Sequence, residues 1–284
     1  MMKKILVPTD FSKNAYAALF YATKLFSDEA LHITLVHSFG EEMDKLTSRV
    51  DIGRSDNIIE KMYRQSDEDG NQLVHKIKLD SSKVAHTFEV ISTPATLAKT
   101  INKLVSTEGI DLVVMGSKGR TGAEEVLVGS TTVKITKSLE GCPLLIVPRE
   151  VDFVIPTNIA FASDYNDFYQ LSKLRPIVRL VRQYNSNLHL VHVGTKSELD
   201  SKQQQNLEKY RNDLSEYDTE FHFIPNRTNI SITLHDFIDT EKMDLLALVY
   251  HKHAFLKTLF REPVVSRVEK HTHIPTLVIP IKNE

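Results

Sequence analysis

Three glycines and the hydroxyl residues that follow them make the stretch of this chain best suited to chemistry. Gly116 and Gly119 are separated by two residues, nine more lead to Gly129, and Ser130, Thr131 and Thr132 come next. Glycine lets a backbone turn sharply and approach a ligand with no Cβ in the way, and the start of a helix offers unpaired N–H groups and a positive dipole end. Together these can hold a phosphate. Ser130 and Thr131 can cap that helix or hydrogen-bond a phosphate oxygen. The competing reading is a glycine-punctuated surface loop with Ser130 as an ordinary cap; an apolar strand before the loop and a helical pattern after it favour the phosphate cradle. Neither the P-loop pattern Gly-x4-Gly-Lys-Ser/Thr nor the dinucleotide pattern Gly-x-Gly-x-x-Gly occurs.

Other reactive residue types are less telling. Asp10 closes Pro8-Thr9-Asp10 after the first apolar run, where an aspartate also serves as an ordinary helix N-cap. Two His-x-His pairs, His251 with His253 and His271 with His273, suggest a metal. They flank successive parallel strands, so they fall at opposite sheet edges roughly 15 Å apart at about 3.3 Å per residue. One pair alone lacks enough ligands, and these histidines read as loop or surface groups. Lys257 and Arg261 share a helical face that reads as a solvated edge. Cys142, the single cysteine, has no internal disulfide partner, suits a reducing compartment and opens an apolar strand as a packed thiol.

The elements that must position these residues alternate between strand and helix. Strands are expected at 3–8, 31–37, 84–91, 110–115 and 144–147, with a helix over 15–26. A long helix or helix pair is expected within 41–80, its exact limits left open by Gly53 and Gly70, and another opened by Pro94 and running to about Thr107. Each β-α-β unit should be parallel with a right-handed crossover. After Pro148 the chain begins again. Ala162-Ser163-Asp164 echoes Val7 to Asp10, 188–192 echoes 31–37, Asp244 echoes Asp111, and 274–280 echoes 142–148. An internal repeat accounts for this, with domains at 1–150 and 151–284, each a parallel sheet with helices on both faces.

The pattern Gly-x2-Gly-x9-Gly-Ser, with Met115 before it and Cys142-Pro143 and an apolar strand after it, resembles the nucleotide-binding signature of the universal stress protein family. The resemblance implies a five-stranded sheet of order 3-2-1-4-5 in each repeat, the two repeats packed as a pseudo-dimer within the chain. In that order the crevice opens beyond the carboxyl ends of the first and fourth strands, where Asp10 and Gly116 fall. It also implies that Pro8, Thr9, Asp10, Val36, Met115 and Gly116 line a nucleotide pocket, while Gly119, Gly129, Ser130 and Thr131 face the phosphates. Val36 has a plainer use as core. The second half keeps Asp164 but has no glycine after Gly194. Counting from Asp244 as from Asp111, Val249 stands for Gly116, Lys252 for Gly119 and about Glu262-Pro263 for Gly129-Ser130. Side chains block the approach, Pro263 has no N–H, and Glu262 repels phosphate. The second half is therefore expected to be nucleotide-silent.

A net charge of −2 over 284 residues leaves no electrostatic footprint for nucleic acid, and no apolar run is long enough for a membrane span. A cytoplasmic location is expected. The leading expectation for function is a non-catalytic stress-response protein that binds ATP, ADP or AMP, with Mg2+ joining through the phosphates. The nearest loop acids are Glu124 and Glu125. No carboxylate pair, Ser-His-Asp set or metal cluster converges on the loop, so binding is favoured over cleavage. The alternatives are a slow ATP hydrolase or self-phosphorylating protein, with Ser130, Thr131 or Thr121 as acceptor, and an interaction scaffold with a different ligand in the second half. The fifth strands of the two repeats would each form an apolar sheet edge, so pairing about a pseudo-twofold axis is expected, with further homo-oligomers through other faces.

Overall fold

Runs of apolar, β-branched residues bounded by polar turns become parallel strands when helices can cover both faces. The computed structural model describes residues 3–40, 43, 55–81, 85–119, 128–149, 151–226, 229–250 and 274–281. The chain divides into two compact units, Met1–Phe153 and Val154–Glu284.

The first unit runs β1 (Lys3–Pro8), α1 (Lys13–Leu25), β2 (Leu31–Ser38), α2 (Ser55–Asp80), β3 (Thr87–Thr93), α3 (Leu97–Glu108), β4 (Leu112–Gly116), α4 (Ser130–Ser138) and β5 (Leu144–Val147). Its strands lie in the order β3-β2-β1-β4-β5, all pairs parallel. Ile5, Leu6 and Val7 of the central strand are wholly excluded from solvent, as are Ile33, Leu35, Val113 and Val114 beside them. α1 starts where Ser12 Oγ accepts the Ala15 N–H, and it lays Ala15, Ala18, Leu19, Ala22 and Leu25 on the sheet. That spacing is one face of a 3.6-residue helix.

Boundaries shift from the sequence expectation, with β3 at Thr87–Thr93 against 84–91 and β4 at Leu112–Gly116 against 110–115, while Val84 and Gly53 lie outside the described residues. Two features of the helices have a local cause. Gly70 does not break α2; a Cβ there would stand 2.5 Å from Val90 Cγ1, so this glycine lets the helix lie close on β3. Pro94 stays outside α3. Thr93 Oγ1 accepts the Ala95 N–H and Ser38 Oγ donates to the Ala95 carbonyl, which holds this segment as a turn until the helix starts after Thr96. α3 then closes on Gly109 at φ +65.

The second unit runs β6 (Asn158–Ala162), α5 (Arg175–Tyr184), β7 (Asn187–Val193), a 3-10 turn at Lys196–Glu198, α6 (Ser201–Asp213), β8 (Thr219–Ile224), α7 (Ile230–Thr240), β9 (Leu245–Tyr250) and β10 (Thr276–Pro280). Its order, β8-β7-β6-β9-β10, is again 3-2-1-4-5 counted within the unit. The repeat extends to single hydrogen bonds. Asp111 N–H donates to Lys4 O at 2.9 Å while its Oδ2 accepts the Lys4 N–H at 2.9 Å. Asp244 does the same to Asn158, at 2.9 and 2.8 Å. The copies part after the first strand. α1 begins at Lys13, but α5 begins only at Arg175, and α6 ties down the residues between. Gln203 Nε2 donates to Asp164 O at 2.8 Å and Asn206 Nδ2 to Tyr165 O at 2.9 Å, while the Tyr169 N–H donates to the Tyr210 hydroxyl at 3.1 Å. Among the described residues no helix is long and apolar enough to cross a membrane.

Candidate functional site

The strand order reverses between β1 and β4, so the chain leaves these two neighbours in opposite directions and a crevice opens at their carboxyl ends. From β1, the Thr9 N–H donates to Val36 O at 2.9 Å, Thr9 Oγ1 accepts the Phe11 N–H at 3.0 Å, and Asp10 Oδ1 accepts the Ser12 N–H at 3.1 Å. Asp10 thus shapes the turn, and Ser12, not Asp10, caps α1. From β4, the chain passes Gly116 and reaches Gly119, where a Cβ would stand 3.0 Å from Asp10 Oδ2. Two segments far apart in sequence are therefore in contact, and Gly119 keeps that contact open.

Gly129 returns the loop to the same place. Its N–H donates to Ser117 O at 2.7 Å, and a Cβ on it would stand 3.4 Å from Lys118 Cα and 3.8 Å from Gly119 N. The buried Thr132 hydroxyl lies 3.1 Å from Gly116 O and 3.2 Å from Ser117 O, sharing its hydrogen between them and locking α4 to the end of β4. Gly129 is the N-cap of α4 and offers no side chain to the helix. The first intrahelical bond runs from the Val133 N–H to Gly129 O. The N–H groups of Ser130, Thr131 and Thr132 precede it, and Ser130 and Thr131 are exposed. This is a helix start presenting donors and a positive dipole end beside two glycines and Asp10.

The other expected pocket residues are packed more deeply at the same strand ends. Pro8 pairs with Val36 across the β1–β2 ladder; Val36 is fully buried and Met115 is 5% exposed, so their side chains belong to the core. At Gly116 a Cβ would stand 3.0 Å from Asn14 O, so that glycine admits α1 against β4. Asn14 itself was not singled out by the sequence, because a polar residue early in an amphipathic helix gives no signal. It is buried, its Nδ2 donates to Lys118 O at 3.3 Å, and its Oδ1 has no hydrogen-bond partner among the described residues. Residues 120–127, with Thr121, Glu124 and Glu125, lie outside the described residues.

The second unit repeats the turn after its first strand, and the segment that would correspond to the glycine loop lies outside the described residues. Asp164 Oδ1 accepts the Asn166 N–H at 3.0 Å, and Oδ2 accepts Asn166 Nδ2 at 2.7 Å. Tyr165 is fully buried and stacks on His192 at 5.3 Å, and burial pushes its hydroxyl well above the usual phenol range. Val249 lies in β9, whereas Lys252, His251, His253, Lys257, Arg261, Glu262, Pro263, His271 and His273 lie outside the described residues.

A doubly wound module whose β1 and β4 ends meet a glycine turn and a helix start belongs to the class of α/β folds that take ligands at a topological switch point. Residues 1–148 match the family model described as the universal stress protein family, and the chain belongs to that family. A universal stress protein of Methanocaldococcus jannaschii is 28% identical over 158 residues, which is 53% of this chain and 97% of the relative. The YxiE universal stress protein of Bacillus subtilis is 26% identical over 149 residues, covering 52% of this chain and 99% of its own. A solved universal stress protein from Archaeoglobus fulgidus aligns over 98% of this chain and 96% of its own with a TM-score of 0.66 and 15% identity, a likeness of fold alone.

Proposed function

We propose that this universal stress protein binds one adenine nucleotide, in its first unit, as a non-catalytic module whose occupancy alters stability or partner choice. The observation that carries the reading is the convergence at the β1/β4 switch point of Asp10, Gly119, Gly129 and the uncapped start of α4. The base and sugar would lie toward Pro8–Asp10, Val36 and Met115, and the phosphates toward Gly119, Gly129, Ser130 and Thr131. Mg2+ would join through the phosphates, since the described residues at the loop are backbone groups and hydroxyls with Asp10 as their carboxylate. In the second unit the turn at Asp164 is closed by Asn166 and covered by α6, which supports a single site.

Calorimetry with ATP, repeated after chelation of Mg2+, tests this directly: one nucleotide per chain is expected, and two equal sites would refute it. Labelled ATP distinguishes the module from the hydrolase or self-phosphorylating alternative, because bound intact nucleotide supports the former and turnover or transfer to Ser130 or Thr131 the latter. We further propose that the two repeats pair through a pseudo-twofold axis, on the strength of their duplicated sequences. Solution scattering of the full chain showing two independently moving domains would overturn that.

A further inference from the structure

The most unusual side-chain cluster outside the crevice lies on the second unit's sheet. β7 and β8 pair with His189 opposite Glu220. Alternate residues of a strand share a face, so His222 lies on that face too. His189 Nδ1 is 3.0 Å from His222 Nε2 and 3.9 Å from Glu220 Oε2, and His222 Nε2 is 3.5 Å from the same carboxylate oxygen. His189 is 8% exposed, whereas Glu220 reaches into solvent.

Two imidazole nitrogens this close share either a hydrogen or a cation. Four features favour the cation. Two ligands each about 2.0–2.1 Å from a tetrahedral ion are about 3.4 Å apart, and the three separations bracket that value. Two imidazoles and one carboxylate form the donor set of an open zinc site with a fourth position for water. Asp218 and Glu241 add negative potential at His189. Phe237 of α7 packs against the His222 ring at 4.9 Å and fixes its direction. The first unit supplies an internal comparison. Val36 and Val191 accept equivalent hydrogen bonds, and counting from them Thr34 matches His189, Glu89 matches Glu220 and Ile91 matches His222. The fold is built there without either histidine, so the pair is not a requirement of the scaffold.

We propose that His189, Glu220 and His222 form a binding site for a divalent transition ion of the zinc class, which staples the edge strand β8 to β7. This site is independent of the nucleotide crevice. The test uses the full chain stripped of metal and titrated with Zn2+ by calorimetry and with Co2+ by visible absorption. The wild type should bind at this site with a four-coordinate Co2+ band. The variant His222→Gln, at a partly exposed position, should bind at least about tenfold more weakly and lose the band. His189→Thr, which installs the first unit's residue, should do the same, and Zn2+ should raise the melting temperature of the wild type more than that of either variant. A wild type that binds neither ion, or folded His222→Gln protein that binds both as tightly as the wild type with the same Co2+ band, would overturn the proposal and leave the rings joined by a simple N–H···N bond.

Discussion

Gly129 is the loop glycine that neither backbone conformation nor packing explains. Its φ of −65 and ψ of 153 suit any residue, and a Cβ there would meet its nearest neighbour, Lys118 Cα, at an ordinary 3.4 Å. Gly109, by contrast, sits at φ +65, and a Cβ at Gly116 would press within 3.0 Å of Asn14 O. Gly129→Asp should therefore fold. As an N-cap, aspartate improves on glycine by a few tenths of a kcal/mol, and its charge at the helix start adds about 0.3–1 kcal/mol. The same carboxylate would occupy the proposed phosphate position. Two unit charges about 4 Å apart repel by about 1 kcal/mol in water and about 4 kcal/mol at an effective dielectric constant of 20. Gly129 is partly exposed, so the loss lies between these limits, about fivefold to a thousandfold in nucleotide affinity. Urea melts and ATP calorimetry on wild type, Gly129→Ala and Gly129→Asp give both numbers. A variant with raised stability and unchanged affinity would show that no phosphate meets α4. A variant that melts several degrees lower would show that the fold needs this glycine after all.

Gly70→Ala should destabilise the first unit by about 1 kcal/mol in urea melts: overpacking against Val90 costs about 1–3 kcal/mol and outweighs the roughly 1 kcal/mol gained in helix preference. A stabilised variant would contradict the close approach of α2 and β3. Thr132→Val keeps the shape but removes the hydroxyl that joins α4 to Gly116 and Ser117, and should cost about 1–2 kcal/mol. Burial raises the Cys142 thiol from 9.0 to about 12, so it should resist alkylation at pH 8 in the native chain and react fully in urea. For the same reason its stabilising contribution should be intact below pH 9 and decline toward pH 12, since the unfolded chain ionises this thiol first. Rapid native labelling would refute the packed position.

The strand runs were legible because burial on both faces leaves an unbroken apolar signature, as in Ile5, Leu6 and Val7. The helix limits were less so. By propensity Gly70 leaves the limits of the helix open, but its close approach to Val90 belongs to tertiary packing, which overrides local preference. Asp10 and Gly116 could be assigned to one crevice because the switch-point rule joins distant segments once the strand order is known. Asn14 could not, for its role depends on where the loop carbonyl of Lys118 falls. His189, Glu220 and His222 escaped notice because their meeting is set by the register of β7 against β8, and the sequence reading of the second half named no third strand.

The turn after the first strand of each repeat holds an aromatic residue in left-handed backbone, Phe11 at φ 59 and Tyr165 at φ 57. Such a conformation costs about 1–2 kcal/mol for a residue with a Cβ. Both copies carry it, including the one with no glycine loop, so its cause is the closure of each first strand onto its neighbour and not a ligand. The duplicated chain is in this way its own control experiment. Whatever both repeats retain belongs to the common scaffold; whatever one alone possesses, the glycine loop in the first and the paired histidines in the second, lies outside what that scaffold demands.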